Sequence, residues 1–169
     1  MIKKVVILGP ESTGKSTLCE LLAQHYKTDW CPEFARDYLM THGTDYTFDN
    51  LQTIAKGQLA LEEEHAAALK TKWAQVDKNI WVNSHSLLTT HHSPLLFIDT
   101  DMYVMKVWGE YVFEKCHQFI LDQIVERKYD IIHYGFFHQD IRAIHLLSRA
   151  DHYYREGRDH IFFQRSGRE

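Results

Sequence analysis

Residues 2–18 read Ile-Lys-Lys-Val-Val-Ile-Leu-Gly-Pro-Glu-Ser-Thr-Gly-Lys-Ser-Thr-Leu, and this stretch constrains the fold more than any other. An apolar run, Val5 to Leu8, leads straight into Gly9-x-x-x-x-Gly14-Lys15-Ser16. The run is short, continuous and rich in β-branched residues, as a strand buried on both faces requires. A helical pattern follows from Lys15 to about Tyr26, with Leu18, Leu21 and Leu22 expected on its inner face. A glycine-bounded loop between a strand and a helix is the setting in which this spacing binds phosphate. Gly9 and Gly14 let the backbone turn tightly and approach a ligand. The amides between Glu11 and Ser16 then form an anion-binding concavity, and the start of the helix adds its positive end. On this reading Gly9, Pro10, Glu11, Ser12, Thr13, Gly14, Lys15, Ser16 and Thr17 hold the phosphates of a nucleotide. Lys15 reaches the β- and γ-phosphates, and the Ser16 hydroxyl holds Mg²⁺.

The rest of the chain alternates in the same way. A second, weak strand is expected at 28–31, and a helix begins at Pro32-Glu33-Phe34-Ala35-Arg36-Asp37 and ends at Gly43. Thr47 or Asp49 opens a longer helix to about Trp73, whose Leu51, Ile54, Ala55 and Leu59 fall at helical spacing. Within it, Glu62-Glu63-Glu64 reads as a solvated turn, since adjacent helical carboxylates do not share a face. Residues 74–93 show no clean period and read as a loop. A clear strand follows at 94–99, then a helix near Thr100. A continuous helical pattern at 109–128 places Phe113, Cys116, Ile120 and Ile124 on one stripe, and a last strand is expected at 129–134. Strands alternating with helices imply a parallel sheet covered on both faces. Together with the opening loop this predicts an α/β fold of the P-loop NTPase type, three layers with a central parallel β-sheet flanked by helices.

No repeat or linker divides the chain, so 1–169 is expected to be a single domain. From Gly135 the composition shifts toward Arg, His and aromatics, with a helix-like piece around 141–152 and a scrap of strand at 161–163. The net charge of −4 argues against a broad grip on nucleic acid, so phosphate affinity must be local. Cys19, Cys31 and Cys116 are far apart without a C-x-x-C pair, which suits free thiols in a reducing compartment. No apolar segment approaches membrane-spanning length, and the expectation is a soluble cytoplasmic protein with no membrane partner.

Several residues outside the loop carry chemical potential. Asp99 ends an apolar strand, where an acid in this type of fold orders Mg²⁺ opposite the loop hydroxyl. Asp101 stands two residues on, and either acid can instead cap the following helix. Glu33 and Arg36 follow the second strand, at the carboxyl edge of the sheet where open α/β folds bind ligands. Glu33 can orient or deprotonate an acceptor hydroxyl and Arg36 can hold phosphate or ribose oxygens; an ordinary i,i+3 pair is the plainer reading. Trp108 can stack on a flat base or serve as core. The 12 histidines show no zinc spacing, and His91-His92 reads as loop surface. Arg142, Arg149, Arg155 and Arg158 are candidates for closing over a transferring phosphate, with surface exposure as the default.

Five segments in order then resemble one family: Gly-Pro-Glu-Ser-Thr-Gly-Lys-Ser-Thr at 9–17, Pro-Glu-Phe-Ala-Arg-Asp-Tyr at 32–38, Ile-Ala-Lys-Gly-Gln at 54–58, Phe-Ile-Asp-Thr-Asp at 97–101 and Lys-Val-Trp-Gly-Glu at 106–110. They are similar to the kinase domain of the bacterial NadR proteins, over roughly residues 2–134. The resemblance implies ATP-dependent phosphorylation of nicotinamide riboside to nicotinamide mononucleotide, with ATP and Mg²⁺ as cofactors and a small nucleoside as partner. It implies Lys15 on the β/γ oxygens, Ser16 on Mg²⁺, and Asp99 or Asp101 serving the metal or the acceptor hydroxyl. Glu33 and Arg36 would belong to the acceptor side, and Trp108 would face the nicotinamide ring. Neither adenylyl transfer nor DNA binding, which longer relatives carry on separate domains, is expected. The alternatives are another nucleoside or nucleotide kinase of this fold, or an ATP-binding sensor without transfer.

Overall fold

The computed structural model describes residues 1–9, 12–75 and 93–134. They lie in one compact unit, Met1–Gly135. The expectations for Pro10 and Glu11, the loop at 76–92 with His91-His92, the pieces at 141–152 and 161–163, and the four late arginines fall outside the described residues.

The elements run β1 (Lys3–Leu8), α1 (Lys15–Tyr26), β2 (Asp29–Cys31), α2 (Phe34–His42), α3 (Phe48–Ala74), β3 (Leu95–Asp99), α4 (Met102–Phe113), α5 (Gln118–Glu126) and β4 (Ile131–Tyr134). The described strands form one sheet in the order β2-β3-β1-β4, and every pair is parallel. β1 is central, and both of its faces are covered, as its unbroken apolar run demands. Val5 and Ile7 pack with Phe97 against Cys19 and Ala23 of α1. Val6 and Leu8 pack with Cys31, Leu96 and Ile98 against Leu69 of α3 on the other face. A further core is built from helices alone: Ala35, Leu51, Ile54, Ala55, Leu59, Met102, Met105 and Ile120 interlock among α2, α3, α4 and α5.

Three details of the sequence reading are corrected. Leu21 of α1 is 55% exposed, and Cys19 and Ala23 hold the buried stripe that was assigned partly to it. The helical pattern at 109–128 is two helices, α4 and α5, separated by a turn at Glu114, whose φ is 57°. Glu114 stands in the left-handed conformation that ends a helix. The chain doubles back over Gly109, where a Cβ would stand 3.0 Å from the Lys115 carbonyl oxygen. Phe113, Cys116, Ile120 and Ile124 nevertheless share the helical core, so the stripe was read correctly and its continuity was not. The third correction concerns Glu62, which is 1% exposed. Its Oε1 accepts from Lys4 Nζ and Arg127 Nη1, each at 2.7 Å, and its Oε2 accepts from Tyr129 Oη at 3.2 Å. A buried carboxylate with two cations is stable where a bare one is not.

Thr47, of the two candidates, opens α3. Its hydroxyl accepts from the Asn50 amide and its own amide donates to Asn50 Oδ1 at 2.7 Å, a reciprocal cap. Pro32 lies just ahead of α2, whose N-cap is Glu33.

Candidate nucleotide and acceptor site

Parallel register decides which groups meet at the carboxyl edge of the sheet. Ile7 of β1 pairs with Asp99 of β3, and the ladder runs one residue further through the Thr100 amide to the Ile7 carbonyl at 3.3 Å. The loop leaving β1 therefore rises beside the end of β3. It enters α1 through Gly14, the N-cap, at φ 82°, a left-handed conformation that glycine adopts without steric cost. The Gly14 carbonyl accepts the first helical bond, from Leu18. Lys15 and Ser16 occupy the first turn of α1 and are half-buried.

Ser16 Oγ donates to Asp99 Oδ2 at 2.5 Å and accepts from Arg36 Nη2 at 3.2 Å. Arg36 Nη2 lies 3.9 Å from Glu33 Oε2. Ser16, Arg36 and Asp99, from three separate segments, thus meet at one hydroxyl, with Glu33 beside Arg36. Asp99 is fully buried, and its Oδ1 is the acceptor for the Thr100 hydroxyl at 3.5 Å. Ser16 and Asp99 offer hard oxygen donors, the set that suits Mg²⁺ rather than a softer metal.

The two acids that the sequence could not separate have different partners. Asp101 is the N-cap of α4: its Oδ1 accepts from the amides of Tyr103 at 2.9 Å and Val104 at 3.4 Å. Its Oδ2 is buried with no hydrogen-bond partner among the described residues. Burial pushes the Asp101 carboxyl up to about 7, against the pull of the Val104 and Tyr103 amides, and the charge of Glu62 adds to the rise. Between the acids, Thr100 is buried with φ 77°, an uncommon conformation for a β-branched residue. Such strain gathers at functional sites, where the surrounding packing holds it in place.

Trp108 is packed into the helical core. Its Nε1 donates to Tyr46 Oη at 2.7 Å, and the two rings meet edge to face at 5.1 Å between centroids. Cys19, Cys31 and Cys116 are all free thiols, and burial pushes Cys19 and Cys31 up to about 12.

Sequence reasoning gave Gln58 no role beyond its place in the 54–58 segment. It is buried on α3 and bonded to the backbone on either side of Glu33. A signal was present: Gln58 and Glu62 continue the stripe of Leu51, Ile54, Ala55 and Leu59, where a polar side chain must find partners.

A parallel sheet with a glycine-bounded loop between β1 and α1, and an acid of the adjacent strand bonded to the loop's serine, defines a P-loop NTPase fold. The chain belongs to the AAA domain family, whose profile matches residues 4–143. It is 28% identical over 132 residues to the trifunctional NAD biosynthesis/regulator protein NadR of Salmonella typhimurium and, equally, to that of Escherichia coli K12. The match covers 78% of this chain and 27% of each relative, so the chain spans about a quarter of the length of the curated relatives it matches. Among solved structures it is similar to a NadR protein in complex with NR, with TM-score 0.58 and 24% identity over 78% of this chain and 33% of that one. A NadR protein in complex with NAD and AMP-PNP aligns with TM-score 0.58 and 20% identity, over 92% of this chain and 42% of that one. These structural likenesses are of fold. No helix among the described residues is long and apolar enough to cross a membrane.

Proposed function

We propose that this domain is an ATP-dependent kinase that transfers the γ-phosphoryl group to the 5′-hydroxyl of nicotinamide riboside, giving nicotinamide mononucleotide. The observation that carries the reading is the convergence on Ser16 of Asp99 and Arg36, with Glu33 beside Arg36. The similarity to NadR proteins, one of which was solved with NR, supports the choice of acceptor.

Phosphoryl transfer asks a protein for alignment and charge neutralisation more than for covalent chemistry. The loop amides and the start of α1 bind the phosphates, and Lys15 offsets charge on the β/γ oxygens as it builds. Ser16 and Asp99 would hold Mg²⁺, which supplies further neutralisation of the phosphates when bound. Glu33 orients the acceptor hydroxyl and accepts its proton, while Arg36 holds the transferring phosphoryl oxygens or the ribose. Asp101 caps α4 and so fixes the strained Thr100 turn that presents Asp99.

The test is a product assay with Mg·ATP and a panel of acceptors: nicotinamide riboside, deoxynucleosides and nucleoside monophosphates. The expected result is nicotinamide mononucleotide as the main product. Lys15→Ala should cut kcat by about 10²–10³-fold, the scale of losing one preorganised donor, with little change in melting temperature. Preference for another acceptor would move the assignment to a different kinase of this fold. ATP binding without consumption across the whole panel would make the domain a nucleotide sensor.

A further inference from the structure

Glu33 is the N-cap of α2, yet its side chain makes no capping bond to that helix. Gln58 of α3, 2% exposed, acts there instead. Its Oε1 accepts from the Phe34 amide at 2.7 Å, and its Nε2 donates to the Pro32 carbonyl at 3.2 Å. One planar amide thus bridges the carbonyl before Glu33 and the amide after it. The helix start is capped from outside, so the Glu33 carboxylate need not turn back on its own backbone. Gly57, the preceding residue, lets α3 come this close: a Cβ there would meet the Phe34 ring at 2.2 Å. One turn further along the same face, Glu62 ties α3 to Lys4 of β1. The helix therefore spans from the floor of the sheet to the β2–α2 turn and fixes the distance between them.

We propose that Gln58 is a positioning residue for the acceptor side of the site: by clasping the backbone around Glu33 it sets where Glu33, and through the first turn of α2 Arg36, stand relative to Ser16 and Asp99. The proposal rests on the kinase reading above. It assigns Gln58 to specificity and alignment of the acceptor, not to the nucleotide.

The full chain is tested as wild type, as Gln58→Met, which keeps the volume and loses the hydrogen bonds to Phe34, Pro32 and the Cys31 sulfur, and as Gln58→Glu, which keeps the acceptor and loses the donor. Mg·AMP-PNP affinity is measured by calorimetry, and kcat and KM are measured for nicotinamide riboside and for ATP. All assays run well below the melting temperature, beside Leu69→Ala as a core substitution on the same helix about three turns from Gln58, in a different hydrophobic cluster from Phe34 and Ala35. The expected result for Gln58→Met is a nucleotide affinity within about twofold of wild type, a kcat at least tenfold lower and a raised KM for the riboside. Gln58→Glu should fall between Gln58→Met and wild type. Glu33→Gln should cost far less in the Gln58→Met background than in wild type, because the carboxylate is already displaced. Wild-type kcat in Gln58→Met overturns the proposal. So does full additivity with Glu33→Gln, or a turnover loss that Leu69→Ala reproduces. If Gln58→Met does not fold, a wild-type riboside KM and kcat in Gln58→Glu overturn it as well. A wild-type chain that phosphorylates no acceptor defeats the kinase reading itself, before any variant is compared, and removes the acceptor role of Gln58 with it.

Discussion

Glu62→Gln separates the structure from the sequence more sharply than any other substitution. A solvated glutamate in a run of three is worth almost nothing when its charge is removed; surface changes stay within about 0.5 kcal/mol. In the folded chain Glu62 is buried and receives Lys4, Arg127 and Tyr129 on its two oxygens. Removing one partner of a buried ion pair costs about 3–5 kcal/mol. Here the lower end applies. The Lys4 and Arg127 side chains are 22% and 17% exposed, so water still reaches both. Both also keep Glu63, at 3.5 and 2.9 Å. Glutamine preserves the shape and one acceptor, which leaves the lost charge as the main term, about 3 kcal/mol. For a domain of this size each kcal/mol shifts the melting temperature by about 2–4 °C, so the variant should melt about 6–12 °C lower. Urea unfolding gives the free energy directly, with Glu64→Gln, on the exposed side of α3, as the control. Lys4→Met in the Glu62→Gln background should cost much less than in wild type, since the two residues share one interaction. A loss below about 1 kcal/mol for Glu62→Gln, or full additivity with Lys4→Met, would refute the claim that this ion cluster fastens α3 to the sheet.

Asp99→Asn should weaken Mg·nucleotide binding by at least tenfold and leave binding of the metal-free nucleotide nearly unchanged, as calorimetry with and without Mg²⁺ would show; equal losses in both would place Asp99 outside the metal site. The buried thiols give a pH-linked prediction. With Cys19 and Cys31 pushed up to about 12, roughly one part in ten thousand is thiolate at pH 8. Alkylation of the native chain at that pH, followed by mass spectrometry, should label Cys116 alone, and unfolding should expose all three; rapid native labelling of Cys19 would contradict its packing against β1 and β3.

The opening loop was legible because its meaning is local. An apolar strand, the left-handed turn at Gly14 and the helix start at Lys15 are all written in adjacent residues. The parallel sheet was legible for a related reason, since unbroken apolar runs such as Val5 to Leu8 can be satisfied only by cover on both faces. The helix break after Phe113 was not, because Glu114 takes a left-handed turn that no glycine or proline announces, and the close return of the Lys115 carbonyl over Gly109 is a tertiary contact.

By itself the sequence determined the order of the described strands and helices, the glycine-bounded loop between β1 and α1, and Asp99, Asp101, Glu33 and Arg36 as candidates beside it. Only the tertiary structure decided which of those acids meets Ser16. Asp99 and Asp101 have similar intrinsic chemistry, and it is the register of β3 against β1 that carries one to the loop and leaves the other capping α4. The same holds for Gln58 and Glu62. Polarity alone assigns such side chains to water, and they are buried because partners distant in sequence, Pro32 and Phe34 for one, Lys4 and Arg127 for the other, supply the hydrogen bonds and charge that water would have supplied.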